Sequence, residues 1–363
     1  MSKKILLITG GTGGHVIPAV NFFNYLSNKD QDCKIMIDKR GNRYLFLSKK
    51  NVFVIRSSSL SGNVFVKIKG VIDLLFGFIK STYIIFKYKP DIVISFGSYA
   101  SLTPMLVCVI FKNFYSIKLY IHEQNTVIGR TNKLFLNSVD KFFLNFDIKQ
   151  KLNKNLLYKS YVVGSPGNVL YLNNNNDNNN INIDIFTIFV YGGSQGSEYL
   201  INFIINLIKT FNLNEITNFK FIIQCPSNLV STTSNILKKY HCNFVIQEFY
   251  KEIEYILENT SLVISRAGAG TINDLINYKK PSILIPLPKS KDNHQNENAK
   301  ILSCQNLALC LNQSNNDFRK AKKYINELLN DKKKIMDIKK KFEKIKIKNT
   351  NELIYNLVLN EKN

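Results

Sequence analysis

The chain has 363 residues, 45% hydrophobic and 21% charged, with a formal net charge of +23. That length accommodates two domains, each able to bury a core, and the apolar-to-charged balance excludes a disordered or collagen-like chain. Six cysteines without a Cys-x-x-Cys pair argue against a disulfide scaffold and for reduced thiols; no His or Cys spacing suits a metal.

The positive charge is uneven. Residues 1–165 carry 24 Lys and Arg against 8 Asp and Glu, which predicts an anionic partner such as a membrane surface or a phosphorylated substrate. No recognition motif for nucleic acid accompanies the charge, so none is expected as a partner. Ser2-Lys3-Lys4 leads straight into a strand, and we read no signal peptide there. The uncharged run Ile92–Phe111 has the length of a membrane span. Gly97-Ser98 and Thr103-Pro104 break it into a strand, a turn and a helix start, so we read no span.

The first strand, Ile5–Ile8, runs into Gly10-Gly11-Thr12-Gly13-Gly14-His15. Pro18 suits the first turn of the helix that follows. A strand-to-helix glycine turn offers backbone N–H groups and a helix dipole to an anion. It is not a Walker A loop, since no Gly-Lys-Ser/Thr follows, and the dinucleotide spacing fails because its third glycine falls at Val16. His15 ends the turn, where an imidazole faces whatever binds at the carboxyl end of the sheet.

Strands are then expected at 34–37 and 52–55, followed by a long amphipathic helix from Val64 to Lys87. Its apolar residues exceed what one core-facing stripe needs. Lys67, Lys69, Lys80, Lys87 and Lys89 fringe it, the pattern of an interfacial helix beside anionic lipid. The strand at 118–121 ends in His122-Glu123-Gln124-Asn125, a polar set that belongs in a site rather than a core. A short strand at 161–163 ends at Gly164-Ser165-Pro166-Gly167-Asn168. The asparagine tract 173–180 is a surface loop beside a linker.

The second half repeats the first. A strand at 185–191 precedes the turn Gly192-Gly193-Ser194-Gln195-Gly196, and strands follow at 219–224 and 243–247. A strand at 261–265 runs into Arg266-Ala267-Gly268-Ala269-Gly270-Thr271-Ile272-Asn273-Asp274, where Thr271 and Asp274 also match a capping box. After the strand at 281–288, Asp292–Ala299 is polar at a helix start. The lysine-rich end, Phe318–Leu359, reads as two helices. Two α/β domains, each with a glycine turn after its first strand, imply one ligand gripped in a cleft between them.

Taken in order, the two glycine turns, His122–Asn125, Arg266–Thr271 and Asp292–Ala299 resemble the MurG glycosyltransferases over roughly Gly10 to Ala299. These transfer N-acetylglucosamine from UDP-N-acetylglucosamine to undecaprenyl-diphosphate-linked muramoyl-pentapeptide, at the cytoplasmic face of the inner membrane. The resemblance implies the GT-B architecture, two Rossmann-like α/β domains with an interdomain cleft. Residues 1–165 form the acceptor and membrane-binding domain, 166–340 the UDP-sugar domain, and 341–363 a helix crossing back to the first domain.

By the same resemblance, Thr12, Gly13 and Gly14 line the donor cleft. His15 is the candidate base, with Glu123 the second candidate. Asn125, His294 and Gln295 contact the sugar, Ser194 meets the diphosphate, and the backbone of Tyr250 meets uracil. Ala269, Gly270, Thr271, Ile272, Asn273 and Asp274 form the nucleotide-binding turn and helix start, with Asp274 replacing the family's glutamate at the ribose hydroxyls. Asn168 stands where the family has an arginine on the diphosphate; losing such a charge-assisted bond costs about 1.5–3 kcal/mol. No Asp-x-Asp sits at a strand end, and no metal or cofactor is invoked. The alternatives are another GT-B nucleotide-sugar enzyme, such as a glycolipid transferase or an epimerase, and a catalytically weakened nucleotide-sugar-binding protein at the membrane.

Overall fold

The computed structural model describes residues 3–42, 44–45, 49–58, 63–167, 185–193, 196–250, 252–315, 317–345 and 349–360. The asparagine tract lies outside them. The chain divides into two compact units, Met1–Asn175 with Lys348–Asn363, and Asn176–Ile347.

The first unit is built on seven strands: β1 (Ile5–Ile8), β2 (Cys33–Asp38), β3 (Val52–Ile55), β4 (Ile92–Ser95), β5 (Lys118–Glu123), β6 (Lys141–Leu144) and β7 (Ser160–Val162). They form one parallel sheet in the order β3-β2-β1-β4-β5-β6-β7. All of β1 is buried, as a central parallel strand must be when helices cover both faces. Leu6 and Ile8 enter a core with Ile84, Val93 and Met105. Ile5 and Leu7 point the other way, into a core with Phe22, Ile94 and Ile354.

Ile354 comes from the helix Thr350–Leu359, so the end of the chain completes the first unit's core. Its buried Ile354 and Val358 each contribute about 1.5–3 kcal/mol. Lys141 at the start of β6 donates from Nζ to Leu357 O at 2.6 Å.

The second unit repeats the plan with β8 (Phe186–Tyr191), β9 (Phe219–Gln224), β10 (Asn243–Gln247), β11 (Leu262–Ser265), β12 (Ser282–Leu284) and β13 (Ala308–Cys310). These strands are also parallel, in the order β10-β9-β8-β11-β12-β13. β6 and β13 were not expected from sequence. They are only 4 and 3 residues long, too short for periodicity to mark them.

The lysine-rich end departs from the two-helix expectation and forms three helices: Phe318–Asn330, Lys332–Glu343 and Thr350–Leu359. The divider is capping. Asp317, Asp331 and Asn349 accept side-chain bonds from the backbone N–H of Lys320, Lys334 and Glu352, each starting a new helix.

The amphipathic stretch forms the helix Val64–Tyr88, capped by Asn63. Gly70, Gly77, Ser81, Ile84 and Ile85 face inward. The outer side leaves Phe65 82% exposed, with Ile68, Leu75, Phe76 and Ile79 also exposed. The helix Leu102–Tyr115 adjoins it, with Phe86 and Phe111 rings 4.9 Å apart, and adds exposed Ile110 and Phe114. No described helix is long and apolar enough to cross a membrane.

Candidate active site

In the first unit the turn after β1 has no room for side chains at its start. A Cβ on Gly10 would lie 2.4 Å from Ala100 Cβ and 2.8 Å from Asp38 Oδ1. Gly11 has φ +78, a left-handed conformation that suits glycine. Its N–H donates to Asp38 Oδ1 at 2.9 Å, so the last residue of the neighbouring strand β2 holds the turn. Asp38 is buried and also accepts from Gly41 N at 2.9 Å, Arg40 Nε at 2.8 Å and Ser57 Oγ at 3.2 Å. Burial alone would raise its pKa; the bonds from Gly11, Gly41 and Arg40 overcome this and hold the carboxyl below its usual range.

The helix Gly13–Ser27 starts from Thr12 with no side-chain cap and no acid in its first turn. His15 lies in that turn, with its Nδ1 2.9 Å from Phe96 O. A carbonyl only accepts, so Nδ1 carries the proton and Nε2 the lone pair. Phe96 follows β4, so a neighbouring strand end fixes the tautomer. The next residue, Gly97, has φ +84, and a Cβ there would approach His15 Nδ1 to 3.4 Å and both amide atoms of Asn132 to 3.3 Å.

The polar set at the end of β5 is an internal brace. His122 is fully buried; its Nε2 donates to Gly164 O at 2.8 Å, and its Nδ1 accepts from Gln124 Nε2 at 2.6 Å. Burial pulls its pKa down to about 4, so it is neutral near pH 7. Glu123 is buried too. Its Oε1 accepts from Asn125 N at 3.0 Å, and its Oε2 from Gly129 N and Asn132 Nδ2, both at 2.8 Å.

In the second unit the glycine turn after β8 is equally tight. A Cβ on Gly192 would lie 2.4 Å from Gly196 C, and Gly193 and Gly196 have φ +77 and +68. Gly192 N donates to Gln224 Oε1 at 3.2 Å, and Gln224 ends the neighbouring strand β9. The helix Glu198–Ile208 then starts from Ser197, whose side chain accepts from Leu200 N.

A second helix start stands beside this turn on the sheet, because β11 pairs with β8. The helix Ala269–Asn277 begins from Gly268 with neither a side-chain cap nor an acid in its first turn, so its first N–H groups and dipole are open to an acceptor or anion. Asp274 lies one turn in, half-buried, and Tyr191 donates to its Oδ2 at 3.3 Å. Burial pushes the Asp274 carboxyl up to about 7; the Tyr191 bond opposes the rise and the charge of Glu254 adds to it.

Glycosyltransferase family 28 models match both units: the N-terminal domain over residues 5–144 and the C-terminal domain over 187–354. A curated relative from Rickettsia canadensis is 30% identical over 92% of this chain and 93% of its own length. One from Wolbachia pipientis is 30% identical over 95% of each. The chain belongs to glycosyltransferase family 28. Both relatives are named UDP-N-acetylglucosamine–N-acetylmuramyl-(pentapeptide) pyrophosphoryl-undecaprenol N-acetylglucosamine transferase. Among solved structures, MurG of Acinetobacter baumannii superimposes with TM-score 0.74 at 20% identity, covering 98% of this chain and 99% of that one. An S. aureus MnaA–UDP structure gives 0.68 at 14% identity, covering 98% and 95%. The fold is therefore of the GT-B class.

Within this family 28 transferase, the structure sorts the residues singled out from sequence. Thr12 and Gly14 are exposed and Gly13 is buried in the helix start, beside His15. Asn125 is held to Glu123, and both oxygens of Glu123 are taken up by bonds to Asn125, Gly129 and Asn132. Asn168 and Ser194 lie outside the described residues. Tyr250 turns its side chain into the core, its hydroxyl donating to Val245 O at 3.2 Å, so only its backbone can face a ligand. Ile272 is fully buried and is restricted in the same way.

The capping-box alternative for Thr271 and Asp274 does not hold. The helix starts from Gly268, three residues earlier than that box requires, and Thr271 is already helical. Asp274 is thereby released from a structural role at the helix start. Gln295 accepts from Leu287 N at 2.9 Å, and His294 donates from Nδ1 to Lys291 O at 2.6 Å, which fixes both at the start of the helix His294–Ser303. Among the described residues no group of three or more His, Cys, Asp or Glu is placed to hold a metal ion.

Asp38, Gln224 and Arg266 were not assigned from sequence. Arg266 is buried, over the Tyr199 ring, and donates to Ile285 O and Gln313 Oε1 at 2.9 and 2.8 Å. It clamps the turn between β11 and its helix. The only signal in sequence was a polar residue closing an apolar strand.

Proposed function

We propose that this transferase moves N-acetylglucosamine from UDP-N-acetylglucosamine to undecaprenyl-diphosphate-linked N-acetylmuramoyl-pentapeptide, peripherally bound at the cytoplasmic face of the inner membrane. The names of its relatives support the substrates. The observation that carries the chemistry is His15, held with Nδ1–H on Phe96 O and its lone pair on Nε2. The Nε2 atom takes the proton of the acceptor hydroxyl. That oxygen attacks the anomeric carbon, the bond to the diphosphate breaks from the opposite side, and UDP leaves with inversion. Base catalysis of this kind contributes about 10²–10⁴-fold.

The open helix start at Ala269–Thr271 supplies N–H donors to the nucleotide and the departing diphosphate, beside the turn that follows β8. Asp274 receives the ribose hydroxyls. The exposed apolar face of Val64–Tyr88, with its lysine fringe, holds the enzyme to anionic lipid, so that the lipid-linked acceptor is reached within its own membrane.

The test is transfer of radiolabelled N-acetylglucosamine from its UDP donor to detergent-solubilised acceptor, with and without EDTA. Labelled lipid product in both samples is expected. No product with this acceptor, or product with another lipid instead, overturns the reading.

A further inference from the structure

The residues after β3 tie the lipid-facing helix to the first glycine turn. Ser57 Oγ donates to Asp38 Oδ2 at 3.2 Å, and the other oxygen of Asp38 holds Gly11 N at 2.9 Å. Ser58 Oγ donates to Asp73 Oδ2 at 2.6 Å, reaching the helix Val64–Tyr88. That helix approaches so closely that a Cβ on Gly77 would lie 2.5 Å from Arg56 O. Arg56 itself is exposed, with its guanidinium carbon 5.0 Å from the Phe76 ring centroid.

Among the described residues, Arg40 and Arg56 follow the carboxyl ends of β2 and β3, and they differ. Arg40 is paired with Asp38 at 2.8 Å. Arg56 forms no ion pair with any described carboxylate. A guanidinium resting on a ring keeps its N–H fork for an anion, and that fork matches phosphate oxygens two at a time. An uncommitted arginine on an exposed phenylalanine, beside an apolar face, is placed for an anion covalently joined to a hydrocarbon.

We propose that Arg56 binds the diphosphate of the polyprenyl-linked acceptor. The assignment rests on the acceptor named under Proposed function, and it follows from matching two orders. Along the substrate come polyprenyl chain, diphosphate and sugar. Along the protein come the apolar face with Phe76, then Arg56, then Ser57 and Asp38, then the glycine turn that leads to His15. Seating the chain on the apolar face puts the diphosphate at Arg56 and directs the sugar toward His15. Arg40 meets the charge of Asp38, so that carboxylate does not claim Arg56.

The probe is farnesyl diphosphate, compared with farnesol by calorimetry on the full chain in neutral detergent. Wild type is expected to bind the diphosphate at least about tenfold more tightly than the alcohol, the size of one charge-assisted bond. Arg56→Gln removes that difference, Arg56→Lys keeps part of it, and both melt like wild type. In transfer assays Arg56→Gln raises the acceptor KM about tenfold and leaves the KM for UDP-N-acetylglucosamine unchanged.

Unchanged farnesyl diphosphate affinity in Arg56→Gln overturns the proposal. So does an effect confined to sedimentation with phosphatidylglycerol vesicles, which would make Arg56 a contact to bulk lipid. Inorganic pyrophosphate binding as tightly as farnesyl diphosphate would mean a free-anion site and overturn it too. Arg56-dependent binding of farnesyl diphosphate by a protein that transfers no sugar would uphold this assignment and sink the functional one.

Discussion

The two glycine turns share one backbone design but differ in the charge of the residue that holds them. Each follows the third strand of its sheet, and each has an N–H donated to the last side chain of the neighbouring strand. In the first unit that side chain is the carboxylate of Asp38, below its usual pKa range and shared with Arg40. In the second it is the neutral amide of Gln224. A carboxylate against a turn works against a phosphate there, even when an arginine shares its charge, whereas an amide adds no charge of its own. The helix after the second turn does carry Glu198 in its first turn; the uncapped, acid-free start is the one at Ala269. The difference assigns the turns. On the proposed reading the first is a rigid mount for the base, and the second unit, through the uncapped helix start at Ala269, meets the diphosphate.

The largest effect should come from the mount. His15→Gln keeps a hydrogen bond but cannot act as a base near neutrality, so turnover should fall by about 10²–10⁴-fold. UDP affinity, measured by calorimetry, should stay within about twofold, because the nucleotide contacts proposed above belong to the second unit. Turnover close to wild type would break the comparison at its base and return the first turn to a purely structural role.

Next in size is a stability effect confined to the first unit. His122 has a folded pKa of about 4 against about 6.5 when unfolded. Above pH 6.5 both states are neutral and the full stability is present. As pH falls from 6.5 towards 4 the unfolded chain takes up the proton first, so stability is lost, by about 2–3 kcal/mol between pH 7.5 and 4.5. Urea unfolding at those two pH values should show a larger acid loss in wild type than in His122→Gln. Equal losses would mean that His122 is already solvated in the folded protein.

The comparison itself is tested by moving the charge. Gln224→Glu places a carboxylate where the first unit has Asp38 and should weaken UDP binding about 30- to 100-fold, since like charges set against each other cost several kcal/mol. Asp38→Asn, the reverse change, should leave UDP affinity unchanged while lowering the melting temperature. Equal UDP binding by Gln224→Glu and wild type would remove the electrostatic distinction between the turns.

The sequence makes the turns themselves readable, because glycines between an apolar strand and a helix are local signals. It also displays His15 and the polar set at 122–125. What holds these residues was not readable. Asp38 and Gln224 stand 27 and 32 residues from the glycines they hold, and only strand register brings them together. The residue type at a strand end does not reveal whether it faces a ligand or a neighbouring turn. Glu123 shows the same limit: a carboxylate at the end of β5 reads as chemistry, yet it saturates itself on its own loop. The capping-box pattern at Thr271 misled for a related reason, since Gly268 starts the helix earlier without any side-chain signal.

The smallest expected effect sharpens the second turn's side of the comparison. Asp274 is the one acid among the residues assigned to the nucleotide, and burial first, with Glu254 adding, brings its carboxyl up to about 7. In the proposed complex the ribose hydroxyls donate to it, and a donor favours the ionised form. UDP therefore selects the deprotonated enzyme, and binding releases a proton. The sign follows: affinity is full above pH 8 and falls as the carboxyl is protonated below 7. With a competent fraction of about nine-tenths at pH 8 and one-tenth at pH 6, Kd should rise about tenfold over that interval. Calorimetry at pH 7 in two buffers of different ionisation enthalpy should detect the released proton, about half per UDP bound. Asp274→Asn should bind UDP more weakly at pH 8 and show no such pH dependence. A wild-type Kd that is flat from pH 6 to 8, with no proton released, would place the ribose elsewhere.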